Sequence, residues 1–265
     1  MESRNAFASH CCALMVYLFL YAPILVLILY SFNDAKYSAA WEGFTLKWYS
    51  SLLADRGVLA ATKNSLIIAF VSTACATAIG TLTAIGLYKY TFRYKRLLEG
   101  ILYLPIIIPE IIMAVSMLAL FMFAGISLGL KTVIIAHITF SIPFVVVVVK
   151  ARLYGLDASL EEAAQDLGAN EWETFKRITF PLIRPGVIAG ALLAFTLSLD
   201  DFIITFFTAG VGSTTLPVRI YSMIKLGISP MINAISTILL VSVVGLVLAV
   251  QKLEGSKLKI NYKGG

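Results

Sequence analysis

Six stretches of this chain are too apolar to have water as their solvent. They cover residues 11–32, 65–88, 100–124, 132–150, 185–209 and 234–251. A helix rises about 1.5 Å per residue, so roughly 20 apolar residues cross the hydrocarbon core of a bilayer. The fourth and sixth runs are at the short end of that range. Composition agrees with the pattern: 59% of the 265 residues are hydrophobic and 14% charged, with a mean hydropathy of +0.89. A soluble domain has about half apolar and a quarter charged residues. The first run is longer than the apolar core of a signal peptide and no small-residue cleavage site follows it, so it reads as an uncleaved span. The predicted fold is all-α, a polytopic membrane protein with six transmembrane helices over 11–251.

The formal charge of +6 raises nucleic acid as a partner, but the basic residues flank the apolar runs and make no continuous basic face. They report orientation instead. Placing both termini on one side leaves seven of the 21 lysines and arginines opposite: Lys36, Lys47, Arg56, Lys63, Lys131, Arg219 and Lys225. The two-to-one excess predicts a cytoplasmic N-terminus over 1–10, a cytoplasmic 150–184 loop, and a polar, frayed cytoplasmic tail over 252–265. The 33–64 segment then lies outside. Its aromatics Tyr37, Trp41, Phe44, Trp48 and Tyr49 read as interfacial anchors, with a short helix near 46–53 and a gate or substrate role open for Trp48. Pro23, Pro105, Pro109 and Pro143 lie in or near spans, where neighbouring helices can satisfy the freed backbone groups.

The 150–184 loop carries the sharpest local pattern. Ser159 and Glu162 have capping-box spacing, which predicts a helix start at Ser159. Leu160, Ala163, Ala164 and Leu167 form one apolar stripe. Gly168 can end that helix in a left-handed residue. Asn170 and Glu173 repeat the capping spacing for a second helix, with Trp172, Phe175 and Ile178 as its stripe and Pro181 as its end. Two short helices at a sharp angle are too apolar for a free linker and too small for a domain. A cytoplasmic docking site for a partner explains both properties.

The run Glu162, Ala163, Ala164, then Gly168, Ile178, Phe180 and Pro181 resembles the EAA loop of ABC importer permeases, with Phe180 where that pattern has Leu. The segments 30–33 (YSFN), 47–49 (KWY), 137–140 (HITF), 163–168 (AAQDLG), 195–201 (FTLSLDD) and 216–217 (LP) resemble the second permease subunit of spermidine/putrescine importers. The resemblance implies a type I importer fold in the bacterial inner membrane. It implies that the loop 154–181 is a coupling helix seated on an ATP-binding subunit through Glu161, Glu162, Ala163, Ala164, Asp166, Leu167, Gly168, Ile178 and Pro181. It implies as partners a second, different permease, two copies of the ATP-binding subunit, an extracytoplasmic binding protein, and a polyamine as substrate; related permeases carry other solutes.

Other chemistry has no residues to carry it. There is no GxxxxGK[ST] loop for a nucleotide, so another chain would hydrolyse ATP. There is no HExxH, and Cys11, Cys12 and Cys75 have no metal-ligand spacing; they read as small packing residues, with lipidation of the Cys11–Cys12 pair as a second reading. Nothing points to a cofactor. Gly125 to Gly129 matches GxSxG, yet no strand precedes it and no Asp–His pair serves Ser127. His137, within a span, reads as a hydrogen-bonding group to a neighbouring helix.

Glu110, Asp200 and Asp201 fall in or near apolar runs. An acid at the bilayer centre normally faces a cavity or a partner, so both pairing with the partner permease and binding of a cation are open. On a continuous helix Ala194, Ser198, Asp201, Thr205 and Thr208 form one polar or small stripe, with Asp200 turned about 100° away. That geometry predicts Ser198, Asp201 and Thr205 lining the translocation path, Asp200 at its edge or at the partner interface, Glu110 as a third acid, and Trp48 stacking on a cation at the outer mouth. A stand-alone secondary transporter is the competing class, but it commonly shows matched halves, and none are visible.

Overall fold

A computed structural model describes residues 2–35, 40–157, 159–227 and 229–261, with no side chain described for 2–9, 11, 226, 251 and 253–261. Tyr37, expected among the aromatic anchors, and the last four residues of the tail fall outside the described residues. In chain order the helices are α1 (Glu2–Tyr30), α2 (Lys47–Ala54), α3 (Arg56–Lys89), α4 (Lys95–Ile107), α5 (Glu110–Phe123), α6 (Leu130–Tyr154), α7 (Ser159–Asp166), α8 (Glu171–Thr174), α9 (Phe180–Asp200), α10 (Ile203–Thr208), α11 (Leu216–Leu226) and α12 (Pro230–Asn261). A π-helical turn, Phe175–Thr179, joins α8 to α9. Among the described residues the only strand-like pairing is an isolated bridge between Asn33 and Phe44.

Five helical segments of the described residues are long and apolar enough to cross a membrane: Cys12–Tyr30, Arg56–Lys89, Leu130–Tyr154, Glu171–Asp200 and Pro230–Val250. A sixth crossing exists only as a bent pair, α4 with α5, at 110°. The continuous span predicted over 100–124 is therefore corrected. Pro109 disfavours helix at the residue before it, and Ile108 (ψ 135°) and Pro109 (ψ 131°) are both extended. The run predicted over 185–209 also breaks: α9 ends at Asp200, and Asp201 is extended at φ −60°, ψ 127°.

The chain divides into two compact units, Met1–Leu59 with Arg219–Leu253 and Ala60–Val218 with Glu254–Gly265. In the first unit, α1 is apolar around its circumference and none of its spanning window is buried; Phe19 is 82% exposed, as a lipid-facing helix requires. The turn after α1 is fixed by buried Asn33, whose side chain donates to the Ala40 carbonyl (2.6 Å) and accepts from the Glu42 N–H (2.9 Å). The short interfacial helix is present as α2. Asp55 follows it and caps the start of α3, accepting from the N–H groups of Gly57 (2.8 Å) and Val58 (3.0 Å).

The second unit is built around α6, more than half of whose spanning window is buried. Val145, Val146, Val149 and Leu153 on α6 pack with Ala84 and Leu87 of α3 and Ile183 and Ala194 of α9. Farther toward its N-terminus, Ala136 and Phe140 of α6 pack with Ala114, Met117 and Phe121 of α5 and Ile204 of α10. The two broken segments, α5 and α10, thus lean on each other and on one rigid helix. Gly210, just after α10, lies against the turn before α6: a Cβ there would fall 1.9 Å from the Leu128 carbonyl oxygen. Gly210→Ala is expected to displace backbone and lower stability by about 1–3 kcal/mol, read as a lower melting temperature of the detergent-solubilised chain.

Candidate functional site

Two candidate sites emerge from the second unit, the 154–181 loop expected to dock a partner and the break between α9 and α10. The loop is built by local capping. At Gly168 (φ 90°) the chain adopts a conformation that glycine favours. The Gly168 N–H donates to the Gln165 carbonyl (2.8 Å) and the Ala169 N–H to the Ala164 carbonyl (3.0 Å), a Schellman closure of α7. Asn170 then opens α8 by the predicted capping box: its side chain accepts the Glu173 N–H, and Glu173 accepts the Asn170 N–H. α7 starts at Ser159 as predicted, with Asp157 accepting the Ser159 N–H (3.0 Å). One prediction is corrected here. Pro181 does not end the helix. It sits in the first turn of α9, and the π-turn before it absorbs the missing N–H, with Phe180 bonding back to the Phe175 carbonyl.

This folding sorts the expected coupling residues into two faces. Glu161 and Ile178 turn inward, toward Tyr88 of α3 and Leu182 of α9. Glu161 accepts a hydrogen bond from the Thr179 hydroxyl and pairs with Lys89 at the end of α3 (2.9 Å). Glu162, Ala163, Asp166, Leu167, Gly168 and Pro181 are exposed and Ala164 half-buried. Leu167 is 90% exposed and Trp172 67%, so the outward face is an unfilled apolar surface flanked by acids. Burial pushes the Glu161 carboxyl up, but the hydrogen bonds from Thr179 and Lys89 outweigh it and hold the group below the ordinary glutamate value. A carboxyl lowered by folding stabilises above its unfolded value and loses that contribution as pH falls through the folded one. The protection factors of the α7 amides, corrected for the intrinsic slowing of exchange at low pH, are therefore expected to fall as pH drops through the carboxylate range, and Glu161→Gln should remove that dependence.

At the break, Asp201 is 6% exposed. Its carboxylate accepts the N–H groups of Ile204 (3.1 Å) and Thr205 (2.8 Å), capping α10, and also the Thr205 hydroxyl (2.7 Å). His137 of α6 places Nε2 3.1 Å from Asp201 Oδ2 and 3.0 Å from Thr205 Oγ1. Both neighbours can accept, so Nε2 carries the ring proton. Nδ1 faces Ser198 Oγ (2.7 Å), which meets Ser72 Oγ of α3 (3.0 Å). One buried polar chain thus ties α3, α6, α9 and α10. The stripe drawn on a continuous helix stays together but lies in the interior: Ala194, Ser198, Asp201, Thr205 and Thr208 are all buried, although α9 stops before Asp201. Asp200 is exposed, and half-buried Glu110, opening α5, is an electrostatic neighbour of both aspartates. Trp48, in the first unit, donates Nε1–H to the Asn33 carbonyl (2.7 Å), with Lys47 Nζ 4.8 Å over its ring.

Sequence pattern located His137 but not its partners. Ser72 carried no signal, and Lys89 read only as an orientation charge. His137→Leu leaves the Asp201 carboxylate buried without its ring partner and is expected to destabilise by about 3–5 kcal/mol, measured as loss of folded protein extracted from membranes.

Membrane-length helices, a break beside acids and a short helical hairpin with an exposed apolar face are the features to set beside known membrane transport proteins. The chain belongs to the family of binding-protein-dependent transport system inner membrane components, whose profile matches residues 1–251. It is 46% identical over 246 residues, 93% of each chain, to the spermidine/putrescine transport system permease protein PotC of Escherichia coli K12. It is 40% identical, over 88% of this chain and 86% of the other, to the putrescine transport system permease protein PotI of the same organism. Its fold is similar to a bacterial ABC transporter involved in import of the acidic polysaccharide alginate, with TM-score 0.77, 18% identity and 95% coverage of both chains. It is a permease subunit of an ABC importer, with several membrane-spanning helices.

Proposed function

We propose that this chain forms half of the membrane pathway of a polyamine importer, paired with a second, different permease, driven by two copies of a cytoplasmic ATP-binding subunit and supplied by an extracytoplasmic binding protein. The observation that carries the reading is its 46% identity, across 93% of its length, to a permease named for spermidine/putrescine transport. The acids at the break fit a polycation. Glu110 and Asp200 present carboxylates at the broken spans, while Asp201, Ser198, Thr205 and His137 hold the break open behind them. Trp48, in the segment assigned to the outside by the basic bias, is in this reading the residue that stacks on a cation at the outer mouth. The chain itself carries no nucleotide site in this reading; its part is mechanical, through α7 and α8.

Both termini and the 150–184 loop are cytoplasmic in this proposal, which the 14-to-7 basic bias supports. A single cysteine at Ser159 on a cysteine-free background is expected to resist an impermeant thiol reagent added to intact cells. Labelling from outside would reverse the orientation.

Two further sets of variants test the sites. Ala163→Asp lies on the exposed face of α7 and Gly168→Val at a positive φ with no neighbour within 4 Å of its Cβ. The chain alone should insert normally, while co-purification of the ATP-binding subunit and uptake both fall. For the path, Asp200→Asn and Glu110→Gln remove charge at constant size. In the reconstituted complex each is expected to lower radiolabelled spermidine uptake by about 10–100-fold, the equivalent of the ~1.5–3 kcal/mol of a hydrogen bond to a charged group. Wild-type uptake by both assembled variants would remove the acids from the path.

A further inference from the structure

The turn between α3 and α4 holds charges that the rest of the second unit does not answer. The apolar run of α3 ends at Tyr88 and apolar residues resume at Leu97, so residues 89–96 (KYTFRYKR) join two membrane-length segments with no acid among them. A link that short stays at the level of the lipid headgroups. Neighbouring basic groups are committed within the chain: Lys89 pairs with Glu161, Lys150 of α6 with Glu99 of α4, and Arg152 donates from Nε to the Leu182 carbonyl (3.0 Å). Arg93 and Arg96 are exposed, and among the described residues neither pairs with an acid. The turn itself is fixed. The Lys95 N–H donates to the Phe92 carbonyl (3.1 Å), the Leu98 N–H to the Tyr94 carbonyl (3.0 Å) and Lys95 Nζ to the Tyr90 carbonyl (3.1 Å). Tyr90, Phe92 and Tyr94 are exposed around it, and the Arg93 guanidinium lies 5.6 Å from the centre of the Tyr94 ring.

We infer that this turn and the exposed stripe of α4 seat one anionic phospholipid, with Arg93 and Arg96 on the headgroup phosphate and the acyl chains along Leu97, Ile101 and Leu104. Guanidinium groups suit the first task, because their planar donors meet phosphate oxygens in pairs. Basic clusters beside a span attract anionic lipid in general. Here the local acids, Glu99 and Glu161, are already neutralised by Lys150 and Lys89, so the charge of the turn is left for an outside anion. Tyr90 and Tyr94 suit the headgroup boundary, where a ring with a polar tip meets both phases. The apolar half of the ligand has its own surface. α4 contains no buried residue. Leu102 packs half-buried against the core of the second unit, while Leu97, Ile101 and Leu104, at steps of four and three, form an exposed apolar stripe. That stripe begins one residue after Arg96, so headgroup and chains of a single lipid are met in sequence.

A lipid held there would brace the end of α3 against the start of α4, one half of the bent pair whose other half opens with Glu110. Nothing in the seat depends on which solute the complex carries. A protein partner is a less suitable occupant. It would have to bring acids into the headgroup layer to answer Arg93 and Arg96, and an apolar surface below them to cover α4.

The test titrates the complete complex, purified in detergent, with phosphatidylglycerol and with phosphatidylcholine of the same chains, and reads the first bound lipid by native mass spectrometry. Wild type is expected to prefer phosphatidylglycerol. The double variant Arg93→Gln, Arg96→Gln is expected to bind it about 10–30-fold more weakly, from roughly one kcal/mol for each basic residue at a membrane surface. Arg93→Lys with Arg96→Lys keeps the charge and is expected to retain the lipid. Lys63→Gln with Lys131→Gln removes equal charge from exposed sites elsewhere and is expected to leave binding unchanged. Unchanged binding in the glutamine double, or the same loss in the lysine double or in the matched control, overturns the seat. Displacement of phosphatidylglycerol by equimolar glycerol 3-phosphate makes it a site for a free phosphate and overturns it too. So does loss of the ATP-binding subunit or the second permease from the purified glutamine double, which would make the turn a protein contact.

Discussion

The carboxylate of Asp201 is the point on which the rest of the second unit turns. A helix that stops inside a membrane leaves backbone groups with no water to satisfy them, and each costs several kcal/mol in hydrocarbon. Asp201 takes up two of these N–H groups at the start of α10, and His137 and Thr205 keep the carboxylate itself from being an unpaired buried charge. The break can then persist as a fixed feature. Because His137 stands on α6, the most buried of the spanning helices, the break is referenced to the rigid part of the fold.

From that anchor the remaining features follow in order. With Asp201 committed to holding α10, Asp200 stays exposed next to it and Glu110 lies nearby at the other broken span. Two interrupted spans that pack on each other put irregular backbone and acids in one place, where backbone of this kind is tolerated only if it lines a cavity or is enclosed by protein. The same buried chain reaches α3 through Ser198 and Ser72, and α3 ends in Lys89, which pins α7 through Glu161. One helix therefore touches both the break and the coupling loop, which gives a physical route for motion at the loop to be felt at the acids.

Much of this was legible in the sequence, for identifiable reasons. The Gly168 stop and the Asn170–Glu173 box are short-range, so spacing alone located them. The spans are composition over twenty residues and could hardly be missed. The helical wheel grouped Ser198, Asp201 and Thr205, which do meet at His137, but it assumed a continuous helix and so could show neither the stop after Asp200 nor that the group is buried. At Pro109 the expectation failed, since prolines within spans are tolerated only when the residue before them can stay helical, and Ile108 does not. Glu161 looked like part of the docking face because its partners, Lys89 and Thr179, lie 72 and 18 residues away, and no local pattern announces a pair of that kind.

The central claim is that the two breaks form the cation path. It is tested most directly by a photoreactive spermidine analogue bound to the assembled wild-type complex during turnover, with the labelled residues located by mass spectrometry. The account predicts label concentrated in the peptides that carry Glu110 and Asp200 and competed away by unlabelled spermidine. Competable label confined to peptides elsewhere in the complex, with both of these peptides clean, would contradict it.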